Sequence, residues 1–341
     1  MWAGSGGKLR QLIRGVAASL TGLTSTTAPF PHAASLSGIP ELRSKLIHMK
    51  MAVISRRALL SASLVAAPAL LSLPASADAR DGELEERLAV LERRHGGRLG
   101  VAVLDSAGNR LIAHRGSERF ALCSTFKLLA AAFVLARVDR NEDSLTRRVV
   151  YGPGDLVTYS PITEKHVGDG MTVGDICDAA VTLSDNTAGN LLLDSFGGPA
   201  GLTAYLRSLE DDVTRLDRRE TELNEAQPGD PRDTTTPVAM LQTLRKVVLG
   251  NALSTASRER LIGWLVANKT GDKRLRAGVP NGWRVGDKTG TGSNNATSDV
   301  AVIWPPERAP MVVTAYYEEA GASADERNAV LSEVGRLAVT V

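Results

Sequence analysis

Apolar residues recur at two different spacings along this chain, and the chain switches between them several times. Leu84, Leu88 and Leu91 stand at i, i+4 and i+7 within a charged stretch. That is the period of a helix with one buried stripe, and it should start near Asp81 and stop at Gly96-Gly97. Leu99–Leu104 and Leu111–His114 flank the polar run Asp105-Ser106-Ala107-Gly108-Asn109, which is a hairpin signal. From Phe120 the pattern turns helical. Leu128–Ala136 is apolar on every side, so this helix should lie buried in the middle of its domain. Arg258–Ala267 also reads as a helix. Strand signals return at Trp283–Asp287, Ser298–Trp304 and Met311–Tyr317, and a helical pattern over Ala324–Leu337 closes the chain.

Strands at both ends with helices between them predict an α/β fold with an all-α insertion, an α+β arrangement. The late strands follow one another through short turns, so the sheet should be largely antiparallel and flanked by helices. The expected division is a leader over 1–77, a discontinuous α/β domain over 78–118 and 269–341, and an all-α domain over 119–268. No internal repeat is visible.

The charge changes the picture of the first segment only. The whole chain of 341 residues carries a formal net charge of +2. Residues 1–77 hold eight Lys/Arg and one Glu, which leaves 32 basic against 37 acidic residues in the remainder. A slightly acidic body gives no electrostatic case for nucleic acid or an anionic membrane. Ser55-Arg56-Arg57-Ala58-Leu59-Leu60 is a twin-arginine pattern, followed by an apolar run from Ala58 to Leu73 broken at Pro68, and then by Ala75-Ser76-Ala77, a small-x-small cleavage site. The run falls short of the ~20 residues of a spanning helix, and no Cys follows it for a lipid anchor. An exported, periplasmic or secreted protein is expected. Residues 1–50 precede this signal, so translation is expected to start at Met49 or Met51, the alternative being a long disordered leader. His32, His48, His95, His114 and His166 show no zinc-ligand spacing, which argues against a metal-dependent hydrolase.

Three short constellations carry chemistry. In Ser124-Thr125-Phe126-Lys127 the lysine follows the serine by three residues, on the same helix face one turn later. A hydroxyl needs a base to become a nucleophile, and an amine desolvated at a helix N-terminus can have its pKa lowered enough to help. In Ser184-Asp185-Asn186, sixty residues on, a second hydroxyl can pass a proton to a leaving nitrogen, and Asn186 can hold a substrate amide. These residue types are also the preferred helix N-caps. Lys288-Thr289-Gly290 follows the predicted strand Trp283–Asp287. A fixed ammonium and hydroxyl on an edge strand can receive a carboxylate, and Gly290 permits close approach to the backbone. A second Lys-Thr-Gly, Lys269-Thr270-Gly271, comes just after a helix-like stretch. There Gly271 reads as a helix stop, with no catalytic role.

The three constellations, in this order and with gaps of 60 and 104 residues, resemble the signature of class A serine β-lactamases and penicillin-binding proteins. The resemblance covers roughly Gly82 to Val341 and implies the β-lactamase/D,D-peptidase-like fold. A fourth stretch, Arg218-Arg219-Glu220-Thr221-Glu222-Leu223-Asn224, resembles the omega loop of the β-lactamases. It implies that Glu220 activates the hydrolytic water with Asn224 as amide partner, and that Arg218 and Asp233 pair across the neck of the loop. Many relatives carry a proline after the catalytic glutamate, in a cis bond. Here it is Thr221, and a cis bond before a non-proline costs ~3 kcal/mol, so a trans, strained or more mobile loop stays open.

What the resemblance further implies is a β-lactam substrate whose carboxylate meets Lys288, Thr289 and Arg274. Its carbonyl would enter a hole made by the backbone N–H groups of Ser124 and Thr291. Tyr159, in Tyr159-Ser160-Pro161, would flank the substrate. Ser124 would attack, Lys127 or Glu220 would take its proton, Ser184 would relay a proton to the ring nitrogen, and hydrolysis of the acyl-enzyme would give antibiotic resistance. No cofactor and no metal are implied, and a monomer without a membrane anchor is expected. Two cysteines, Cys123 and Cys177, lack the partners that relatives use, since Ala131 and Gly292 stand in those places. Two free thiols are therefore expected. The rivals are a D,D-peptidase and a β-lactam sensor that stays acylated; each should lack the Glu220 loop.

Overall fold

A computed structural model describes residues 77–341 of the chain, with side chains described from Gly82 onward. The leader, its twin-arginine pattern and the start-site reading lie outside the described residues.

The first helix, α1 (Ala77–His95), begins before the expected Asp81 and ends at Gly96 and Gly97, both with positive φ. Leu84, Leu88 and Leu91 form its buried stripe. The hairpin follows as β1 (Arg98–Asp105) and β2 (Arg110–His114), paired antiparallel from Val101↔His114 to Asp105↔Arg110. The late strands are β7 (Arg284–Thr291), β8 (Thr297–Trp304) and β9 (Met311–Glu318). They join the hairpin in one five-stranded sheet of order β2-β1-β9-β8-β7, antiparallel at every pairing. β7 is thus an edge strand.

Side chains alternate across this sheet with the period of two that a strand imposes. Leu99, Val101 and Val103 of β1 join Met311, Val313 and Ala315 of β9 in one core, under α1, α8 (Leu275–Gly278) and α9 (Ala324–Ala338). Ala102, Leu104, Val300, Val302 and Val312 face the other way, into the larger core of the helical layer. The centre of that layer is α2 (Phe126–Asp139), in which every residue from Phe126 to Ala132 is buried. Around it stand α3 (Val173–Thr182), α4 (Asn186–Asp194), α5 (Gly198–Ser208), α6 (Pro237–Val248) and α7 (Thr255–Val266). Each fully buried leucine here contributes about 1.5–3 kcal/mol. The helical segment also carries two short ladders, β3 (Phe120–Ala121) with β6 (Thr234–Thr235) and β4 (Arg148–Val149) with β5 (Met171–Thr172). No described helix is long and apolar enough to cross a membrane.

Sequence and structure differ at β7. The predicted strand ends at Asp287, but the observed one runs to Thr291, with Val285 to Gly290 all buried. Lys288-Thr289-Gly290 therefore lies within the strand and does not follow it. Polar residues break the apolar pattern there because this part of the edge strand faces other polar groups.

Candidate active site

Two lysines, Lys127 and Lys288, are fully buried. Burying an ammonium is costly unless charge and hydrogen bonds compensate, so their surroundings mark the site. Ser124 sits on a 3-10 turn, Cys123–Thr125, that leads directly into α2. Lys127, in the first turn of α2, comes back onto it: Nζ donates to Ser124 Oγ at 2.8 Å, to Asn186 Oδ1 at 2.6 Å and to the Ser184 carbonyl at 2.9 Å. Glu220 supplies the countercharge, with Oε1 2.7 Å from Lys127 Nζ. The Ser124 hydroxyl donates to that same oxygen at 3.3 Å. Burial pulls the Lys127 pKa below the ordinary lysine value, and the Glu220 charge opposes that shift.

Ser184-Asp185-Asn186 divides its labour. Asp185 is the N-cap of α4, accepting from Ala188 N–H at 2.8 Å, and it also holds the 3-10 turn Thr163–His166 through Thr163 N–H and Oγ1. The capping role thus falls to the aspartate, which leaves its two neighbours for the site. Ser184, held at φ 59°, accepts from Lys288 Nζ at 3.0 Å. Asn186 donates to Thr158 O at 2.8 Å. Burial, and then the Lys127 cation, push the Lys288 pKa well down.

β7 brings the third motif alongside the Ser124 turn. A Cβ on Gly290 would stand 2.5 Å from Ser298 Oγ and 3.0 Å from Leu122 O, so only glycine lets the strand come this close. Arg274 lies across the end of β7. Its Nη1 donates to Gly290 O and to Ser298 O, both at 2.7 Å, and its Nη2 to Thr291 Oγ1 at 2.7 Å. Thr297, the first residue of β8, accepts from Arg327 Nε at 2.9 Å.

The fourth wall is the segment between Asp217 and Asp233. Asp233, 1% exposed, takes Arg218 Nε at 2.6 Å and the backbone N–H groups of Asp217 and Arg218 at 2.7 and 2.9 Å. Asn224 Nδ2 donates to Glu220 Oε2 at 2.5 Å, while Asn224 Oδ1 is buried and makes no hydrogen bond with protein. The Glu220–Thr221 peptide bond is cis. Two bonds from Asn190 fix Glu220: Oδ1 accepts its N–H and Nδ2 donates to its carbonyl, both at 2.9 Å. Sequence reading did not single out Asn190. The signal was a second amide one turn beyond Asn186, on the same face of α4.

These walls enclose a cavity of about 320 Å³ lined by Ser124, Tyr159, Ser184, Asn186, Asn224, Thr270, Arg274, Thr289, Gly290 and Thr291. Tyr159 stands at its rim, 55% exposed, in a positive-φ conformation. Of the lining residues only Thr270 was not expected. It comes from the second Lys-Thr-Gly, which therefore does more than end a helix. Cys123 and Cys177 are both buried and free.

Comparison with known proteins places the chain in a family. The model of the β-lactamase enzyme family matches residues 83–341. β-Lactamase CTX-M-25 of Escherichia coli is 47% identical over 282 residues, which is 83% of this chain and 96% of that protein. β-Lactamase L2 of Stenotrophomonas maltophilia is 50% identical over 251 residues, 73% of this chain and 83% of that one. Among solved structures, an ancestral (GNCA) class A β-lactamase is 68% identical and superposes with a TM-score of 0.75, over 75% of this chain and 99% of its own.

Proposed function

The chain belongs to the class A β-lactamases and hydrolyses β-lactams through a serine acyl-enzyme, and from that premise we propose how its residues divide the work. Ser124 is the nucleophile. The observation that carries this is its Oγ, which lies in the cavity within hydrogen-bond reach of both Lys127 Nζ and Glu220 Oε1. The Lys127–Glu220 pair, bridged at 2.7 Å, takes the hydroxyl proton as Oγ attacks the strained amide carbon. The developing oxyanion is met by the backbone N–H groups of Ser124 and Thr291. Ser184, joined to Lys288, returns a proton to the departing ring nitrogen. Lys288, Thr289 and Arg274 bind the substrate carboxylate by charge-assisted bonds, Arg274 through Thr291 and the end of β7. Asn186 and Tyr159 hold the side-chain amide and the ring face.

Deacylation falls to Glu220. Its Oε2 and the unpartnered Asn224 Oδ1 give a water one acceptor each. Glu220 takes the proton of that water as it attacks the ester carbon, and as the bond from carbon to Ser124 Oγ breaks the proton passes back to Oγ through the Lys127–Glu220 pair. Arg218 and Asp233 keep this wall closed.

The two cores, one on each face of the sheet, support dividing the chain into an α/β domain over 78–118 and 269–341 and a helical domain over 119–268. The twin-arginine pattern supports export of the folded enzyme, which acts as a monomer on a small-molecule β-lactam. Steady-state kinetics test the assignment of the nucleophile. Ser124→Ala should lose benzylpenicillin hydrolysis; turnover at the rate of the unaltered enzyme would contradict it.

A further inference from the structure

Lys269-Thr270-Gly271 is the one motif that the proposed mechanism leaves unused. It lies on a segment tied to β7 residue by residue. Asn268 Nδ2 donates to Asp287 Oδ2 at 2.7 Å, and Arg276 Nε donates to Asp287 Oδ1 at 3.0 Å. A Cβ on Gly271 would stand 1.8 Å from Asp287 Oδ2, so this contact admits only glycine. Further along, Arg274 reaches Gly290 O. Between these ties the hydroxyl oxygens of Thr270 and Thr289 are 2.5 Å apart, at the wall of the cavity.

Donor counting fixes which way this pair points. Asn268 gives its Nδ2 to Asp287, so its Oδ1 faces Thr270 as an acceptor. It takes the Thr270 N–H at 3.0 Å and the Thr270 hydroxyl at 2.8 Å. A hydroxyl has one proton. With the Thr270 proton given to Asn268, the bond between the threonines uses the proton of Thr289. In the free enzyme Thr289 therefore presents lone pairs to the cavity, which is the wrong polarity for a carboxylate. Both protons can turn together, Thr270 from Asn268 toward Thr289 and Thr289 from Thr270 toward the carboxylate. Asn268 Oδ1 keeps the backbone N–H, so the turn strands no buried acceptor. The resulting chain runs from Thr270 through Thr289 to the carboxylate, and each bond polarises the next.

We propose that Thr270 is a positioning residue of the carboxylate subsite: its hydroxyl reverses its hydrogen bond when substrate binds and holds Thr289 in the donating orientation. The proposal rests on the reading of Thr289 as a carboxylate partner. Its test is steady-state kinetics of Thr270→Val and Thr270→Ser on benzylpenicillin and on its methyl ester, which lacks the charge. Losing one supporting hydrogen bond should raise KM for the acid about 3–10-fold in Thr270→Val. The acid kcat should stay within about 2-fold of the unaltered enzyme, since no reacting atom is touched. KM for the ester should not move, and Thr270→Ser should restore the acid KM. An unchanged acid KM in Thr270→Val would overturn the relay. So would a KM rising equally for acid and ester, or failure of Thr270→Ser to restore it. Thr289→Val separates the two readings, because an unchanged acid KM there would remove the subsite itself.

Discussion

The two long walls of the cavity are built in opposite ways. On the side of Ser124, Lys127 and Lys288, regular elements do the positioning: helix phase puts Lys127 back onto Ser124, and the register of β7 sets Lys288 and Thr289. On the side of Glu220, the segment between Asp217 and Asp233 has one regular turn, the 3-10 turn Glu222–Asn224. Its shape comes from side chains bonding backbone, chiefly Asp233 at the neck and Asn190 on both sides of the Glu220 peptide. A wall of the first kind is held by a core of many apolar contacts. A wall of the second kind depends on a few polar bonds, each of which can be removed singly. The two chemical steps assigned to these walls should therefore be separable by mutation.

The largest separation should come from Glu220→Ala. General-base assistance is worth about 10²–10⁴ in rate, so steady-state turnover of benzylpenicillin should fall by that much, with the loss in the second step. Stopped-flow acylation should suffer less, since Lys127 and the oxyanion donors remain. Equal losses in both steps would break the distinction between the walls.

Asp233→Asn comes next. Asn keeps one acceptor for the backbone N–H groups but turns an amide toward the Arg218 guanidinium. Arg218 keeps Glu225 as a partner, so the change should cost about 1.5–3 kcal/mol, the worth of a hydrogen bond to a charged group, felt locally. Limited proteolysis between 217 and 233 should quicken, and deacylation should slow more than acylation. Unchanged cleavage and turnover would show that the neck does not hold the wall.

Glu92→Gln is the smallest change, a control in the sheet layer. Glu92 ties α1 to β2 through Arg115 Nε at 2.6 Å and Nη2 at 2.7 Å, with Leu99 N–H and His114 beside it. The Arg115 bond above all lowers its pKa to about 2 from an ordinary 4.5. A depressed carboxylate contributes its stability in full above pH 4.5 and loses it as pH falls toward about 2. Glu92→Gln should therefore be less stable than the unaltered enzyme by about 2 kcal/mol at pH 7, with the gap closing between pH 4.5 and 2. Thermal melts across that range check it, and both rate steps should be untouched.

How far the sequence disclosed this arrangement follows the same division. The sheet and α2 were legible because alternation and all-round apolarity reflect burial directly. Lys127 was legible because a helix turn fixes its distance from Ser124. Residues acting through backbone contacts were not: Asn190 sits four places beyond Asn186, but nothing in the order of residues says which peptide it clamps. The end of β7 was missed because buried lysine and threonine look like surface when read as hydropathy. Thr270 carries no functional signal in the sequence, because a Lys-Thr-Gly after a helix has a sufficient explanation as a stop. Only the fold reveals that its hydroxyl lies 2.5 Å from that of Thr289 in the other Lys-Thr-Gly of the same chain. Glu220 and Asn224 were found through resemblance, since a charged loop with little regular structure carries no periodicity to read.

The central claim is that Ser124 accepts the acyl group and Glu220 releases it, and intact-protein mass spectrometry of Glu220→Ala after mixing with benzylpenicillin tests this most directly. The account predicts a chain heavier by one whole penicillin, with the added mass mapping to the peptide that holds Ser124, and no adduct at all in the Glu220→Ala, Ser124→Ala double variant. A Glu220→Ala enzyme that stays unmodified while hydrolysing at the rate of the unaltered enzyme, or an adduct on any other residue, would contradict it.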